Sequence, residues 1–206
     1  MPVDPSSLGF LDFEAEAERA MKRMTKRLGE MGAEIERIGD TFGRSAPRIP
    51  ALANASAATK QSELREVGNR VDGHAAKLEA IQSLFRVDIE AMTTNYLNRL
   101  DYVDAEGAST LRPTFAGMSD AVDGARPSTV GMRDAALGLR AKNVQQSVNL
   151  ACERLADSLQ RIVSDMDTVK RFTTAALRKL DDKIISASVA RPTGSAPNRH
   201  ARRRTR

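Results

Sequence analysis

Seven apolar residues, Met21, Met24, Leu28, Met31, Ile35, Ile38 and Phe42, recur at alternating steps of three and four. That spacing is the seam of a helix packed lengthwise against other helices. Two later stretches repeat it. One is Leu64, Val67, Val71, His74, Leu78, Ile81, Phe85, Ile89, Met92, Tyr96 and Val103. The other is Val144, Val148, Ala151, Leu155, Leu159, Ile162, Met166, Val169, Leu177, Leu180 and Ile184. Three such seams specify an architecture without specifying any chemistry.

The composition agrees. Aromatics are only 4% and tryptophan is absent, so the core must be built from Ala, Leu, Ile, Val and eight methionines. Such a core suits helix–helix seams better than a sandwich or barrel. The expectation is an all-α fold: an elongated antiparallel bundle of about three long helices plus one short helix, with a disordered C-terminal tail. Residues 1–9 read as a flexible N-terminus, and helices are expected at about 10–42, 56–104, 113–123 and 128–185. Gly43, Pro47 and Pro50 end the first helix, and Asp104 to Gly107 breaks the second. Pro113 and Gly124 bound the short one, and Pro127 with Ser128 or Thr129 opens the last.

The first seam is a strict heptad, which asks for left-handed supercoiling. The run Val144–Leu155–Met166 steps by eleven, which asks for the opposite hand or a straight helix. Helices of mixed period pack as a nearly straight bundle. Folding the second and last helices into an antiparallel hairpin sets Phe85 level with Asn149 to Leu155.

The charge is unevenly distributed. Of 32 basic residues, Arg191, Arg199, Arg202, Arg203, Arg204 and Arg206 stand in the acid-free segment 186–206, leaving 26 against 27 acidic ones. The helical body is therefore near neutral and the tail carries the excess. That tail reads as basic and disordered, able to hold nucleic acid by counterion release but lacking aromatics for base stacking. A second basic group, Arg19, Lys22, Arg23, Lys26 and Arg27, recurs at helical spacing on the side away from Met21, Met24 and Leu28. It fits an acidic partner, phosphates or an anionic surface, or a solvated face neutralised by Glu18 and a neighbouring helix. Together Arg19, Lys22, Arg23, Lys26, Arg27, Arg199, Arg202, Arg203, Arg204 and Arg206 are the candidate contacts for an anionic partner.

No catalytic, cofactor-binding or metal constellation emerges. Asp165 and Asp167 point some 200° apart on a helix. Ser119 lacks the second glycine of a nucleophile elbow. Gly29 and Gly32 have no phosphate-binding lysine beside them and serve close helix approach or soften the helix. His74 falls on the seam, or at its margin if Ala75 turns inward. Cys152, the single cysteine, reads as a small packed residue whose thiol Glu153 would render less acidic. A lone thiol, no leader at Met1–Ser7 and no span of roughly 18 apolar residues lead to the expectation of a cytoplasmic protein without a transmembrane segment. The function expected is that of a non-enzymatic scaffold, adaptor or assembly subunit, forming a homo-oligomer or binding a protein partner through long helical faces. A nucleic-acid-associated protein anchored by the arginine tail and an amphipathic membrane- or particle-surface binder are the alternatives.

Overall fold

The computed structural model describes residues 5–45, 47, 48, 52, 55–142 and 144–190, with side chains from Phe13 to Val189. Four helices make up almost all of it: α1 Pro5–Ser45, α2 Ala57–Arg99, α3 Ala105–Ala141 and α4 Gln146–Ala190. A 3-10 turn, Leu100–Tyr102, follows α2. No strand occurs among the described residues. At 1.5 Å per residue, α4 is about 68 Å long, so the bundle is elongated as the seams require.

The cross-helix bonds fix how these helices run. Glu16 meets Arg99 and Glu34 meets His74, so α1 and α2 are antiparallel. Arg112 meets Asp181 and Arg140 meets Glu153, so α3 and α4 are antiparallel as well. The two hairpins then dock in parallel. Thr25 reaches Met118 from α1 to α3, and Asp72 and Gln82 on α2 meet Arg154 and Asp165 on α4. Around the bundle the order is α1, α2, α4, α3, and the 3-10 turn carries the chain diagonally across one end.

Four expectations are corrected here. Residues 186–190, expected in the disordered tail, continue α4 to Ala190. The first helix begins at Pro5, a residue suited to the first helical position, rather than at 10. The second and last helices run parallel, so Phe85 lies level with the turn after Asp165, about 20 Å along α4 from Leu155. The chain does not break around Gly124 and Pro127 but between Ala141 and Gln146. The expected short helix and the first turns of the expected last helix are thus one 37-residue helix containing Pro113 and Pro127.

Each of those prolines removes a backbone bond and crowds the carbonyl four residues back, costing about 3 kcal/mol. Packing offsets this: Leu111, Phe115, Met118, Val122, Thr129 and Ala136 are all buried, and Phe115 lies 5.9 Å from Phe172 across the α3–α4 seam. Ser128 and Thr129, the candidate caps, instead donate their hydroxyls to Ala125 O within the helix. The true caps are Ser56, which accepts from Thr59 N, and Asp104, which accepts from Gly107 N at 2.8 Å.

The core follows the seams. Met21, Met24, Leu28, Met31, Ile35 and Ile38 are buried and Phe42 packs partly against them. On α2 the buried line is Leu64, Gly68, Val71, Ala75, Leu78, Gln82, Phe85, Ile89, Met92 and Tyr96, an unbroken alternation of four and three. It differs by one residue at Val67, His74 and Ile81, which sit at the margin. The shift follows from the close approach of α4, whose first turn lies so near that a Cβ on Gly68 would stand 3.2 Å from the backbone of Ser147. Gly73, one turn further, faces open space.

These two glycines separate packing from propensity. Gly73→Ala is expected to raise stability by about 1 kcal/mol, the intrinsic helix preference. Gly68→Ala is expected to lower it, because backbone must move to admit the methyl group. Urea titration of both variants checks this, and a Gly68→Ala protein more stable than wild type would overturn the α2–α4 register.

Candidate functional site

The basic group on α1 divides between exposed pairs along the helix and contacts with α2. Lys22 pairs with Glu18 at 2.7 Å and Lys26 with Glu30 at 3.6 Å, both one turn apart on the same helix. The Lys22 ammonium holds the Glu18 carboxyl below its usual range. Arg23 and Arg27 turn toward α2, each Nε lying 3.3–3.4 Å from the buried Asp88 carboxylate. Arg27 is mostly covered, so it belongs to the flank of α1 and not to its outer face. Arg19 donates to Ala15 O. Four of the five cations thus meet a carboxylate, Lys22 and Lys26 on the exposed surface of α1 and Arg23 and Arg27 at the shared Asp88 of α2. Arg199, Arg202, Arg203, Arg204 and Arg206 lie outside the described residues.

The remaining candidates resolve into helix–helix bonds. Asp165 accepts from Gln82 on α2 at 2.5 Å, while Asp167 accepts from Arg126 on α3 at 2.8 Å, so the two carboxylates diverge as helical geometry requires. Ser119 accepts from Lys170, whose ammonium is also paired with Asp123. Gly29 and Gly32 have nothing near their absent side chains. They soften α1 and admit no neighbouring helix. Among the described residues no group of His, Cys, Asp and Glu has the makings of a metal site.

Cys152 is fully buried, and burial alone pushes its thiol up to about 11. Glu153 is engaged with Arg140 and is not the cause. Glu79, by contrast, is a hub: Arg154 donates to it at 2.6 Å, and Arg161 and Ser158 add 3.1 and 3.0 Å bonds. The bond from Arg154 chiefly, helped by Ser158 and the charge of Arg161, outweighs burial and holds the Glu79 carboxyl below its ordinary value.

His74 sits at the margin of the α1–α2 seam, and Ala75 fills the core position. Its Nδ1 lies 2.6 Å from Glu34 Oε1 and its Nε2 lies 3.1 Å from Thr41 Oγ1. A hydroxyl, an imidazole and a carboxylate in line have the outline of a nucleophile, base and orienting acid. The Thr41 hydroxyl also lies 2.9 Å from Arg37 O one turn back, so it is shared between the backbone and the ring. Glu34 and Thr41 are buried, and Glu34 also lines a surface cleft with Glu30, Arg37, Lys77 and Ile81.

Glu34, Asp88 and Gln82 complete these contacts, and the sequence carries a signal for two of them. Gln82 completes the strict heptad of α2, and Glu34 precedes Ile35 on the buried side of α1. A polar residue on a seam demands a partner, and each has one. Asp88 lies between Val87 and Ile89, and only the three-dimensional approach of Arg23 and Arg27 reveals it.

No protein-family model matches the chain, and neither the curated proteins nor the solved structures contain a match to it. No described helix is long and apolar enough to cross a membrane.

The thiol gives a direct check on core integrity. Cys152 is expected to resist alkylation at pH 8 in the folded protein and to react rapidly once denaturant unfolds it. Prompt, stoichiometric modification of the native chain would show that the α4 seam is open.

Proposed function

We propose that the chain is a non-enzymatic helical interaction protein of the cytoplasm, a scaffold or assembly subunit that pairs with a second copy of itself along the outer face of α2. The carrying observation is the stripe Gly73, Ala76, Ala80, Leu84, Val87 and Ala91, which is exposed throughout and bears no charge. In a chain with 29% charged residues, a solvated helix face of five turns should carry several. Leu84 and Val87 are 56% and 63% exposed, one turn apart at its middle. A stripe at helical spacing, small at its edges and branched at its centre, has the pattern of a second seam. The cytoplasmic assignment is supported by the lone buried thiol.

The two alternatives draw on the same basic residues. Pairing of Lys22, Arg23, Lys26 and Arg27 with Glu18, Asp88 and Glu30 offsets part of the charge that α1 would offer nucleic acid or an anionic surface. The arginines of 191–206 remain the basis for either.

Light scattering on the full chain and on Leu84→Glu/Val87→Glu tests the proposal. Wild type is expected to exceed the 22.4 kDa monomer mass as concentration rises, and the variant to stay at it with unchanged helicity. A wild type that remains monomeric, or a variant that associates equally, contradicts it. Salt-dependent retention on DNA, lost on removing residues 191–206, would instead favour the nucleic-acid reading.

A further inference from the structure

A cleft of about 310 Å³ opens between the last turn of α1 and the first turns of α2. We propose that it binds an apolar α-amino acid as its zwitterion. The ligand's side chain rests on a floor of leucine and valine, its carboxylate meets arginine and its ammonium meets Glu63.

The floor is apolar and already in place. Leu52 and Leu64 are buried, Val67 is partly so, and all three reach the cleft. Leu52 comes from the segment between the two helices. Its carbonyl accepts from Ala55 N at 3.1 Å, and Ser56 caps α2 directly afterwards. A floor held on both sides costs little further ordering when a ligand arrives.

The rim supplies the selectivity. Arg70 and Glu66, one turn apart on α2, pair with each other and cancel. Arg44 Nε donates to Asp40 O at 3.2 Å, which orients the guanidinium and leaves both Nη groups without a protein acceptor. Arg48 and Glu63 make no ion pair or hydrogen bond among the described residues. Two guanidinium groups and one carboxylate therefore line a single cleft without meeting. Elsewhere the bundle joins such groups directly, as Arg154 does with Asp72 and Glu79.

A zwitterion spans that gap. Its carboxylate accepts the paired N–H donors of a guanidinium, and its ammonium donates to Glu63. A simple anion would leave Glu63 opposed to it, and a simple amine would face two arginines. The rim thus selects against ligands of one sign. Size narrows the class further. Small-molecule sites span roughly 300 to 1,000 Å³, so a cleft at the bottom of that range suits an amino acid better than a larger metabolite. This reading does not depend on self-association along α2.

Calorimetric titration of the full chain with leucine, isoleucine, valine, methionine and phenylalanine is the test. At least one should bind saturably, once per chain, and glycine, which has nothing to place on the floor, should not. For the best ligand, the same molecule without its amine and the same molecule without its carboxylate should each bind at least about tenfold more weakly, the loss of one charge-assisted bond. Arg44→Ala/Arg48→Ala and Glu63→Gln should each weaken binding by a similar factor. All three side chains are exposed, so helicity should not change. The analogues probe the wild type and decide the matter even if a variant fails to fold. Absence of binding by all five amino acids, or affinity unaltered in the variants, overturns the proposal. So does equal binding of the amine-free acid, which would make the cleft a carboxylate site alone.

Discussion

The parallel contact between α2 and α4 is the constraint on which the rest of the structure depends. Each helix is the second arm of its own antiparallel hairpin, so their contact decides how the hairpins dock. It is tight where Gly68 admits the first turn of α4 and is then fixed at intervals along its length. Arg154 bridges Asp72 and Glu79, Gln82 bonds Asp165, and Lys179 reaches Asp101 at 2.6 Å and Leu97 O at 3.2 Å. Lys183 closes the far end on Asp101 O. With that register set, the 3-10 turn must cross the end of the bundle, where Leu100 and Val103 are buried.

Polar groups on these seams choose one arrangement among several. An Ala-, Leu- and Met-rich seam can slide by a turn at little cost, since one aliphatic contact replaces another. A buried carboxylate cannot. Stranding Asp88 away from Arg23 and Arg27 leaves a charge uncompensated, which costs about 3–5 kcal/mol. The α1–α2 pair is held this way at Glu34–His74 and Asp88. A third contact is the cluster in which Arg99 stacks 4.4 Å over Phe13 and binds Glu16. The apolar seams thus supply the association and the ion pairs supply the register.

The sequence announced the helical class, the seam of α1 and the breaks after α1 and α2. Periodicity is a local property, and these elements are local. It misplaced what depends on neighbours. Gly124 and Pro127 look like a boundary, yet Val122, Thr129 and Ala136 are buried on both sides of them, and that packing carries the helix through. On α2 a choice between Val67, His74, Ile81 and Gly68, Ala75, Gln82 is a choice between larger residues and a stricter heptad. The heptad won because α4 approaches too closely for the larger set. The basic group on α1 was visible as charge, but its neutralisation by Asp88 required a helix 60 residues away to be placed beside it.

The most direct test of this account is a pair of distances across the α2–α4 contact, measured between spin labels with Cys152 replaced by Ala. Ser62 and Gln146 border the same surface cleft, and Thr174 lies 28 residues further along α4. Labels at 62 and 146 should be close, and labels at 62 and 174 should be separated by about 40 Å of helix rise. The reverse order, with 174 near 62 and 146 remote, would mean that α2 and α4 run antiparallel and that the docking described for the two hairpins is wrong.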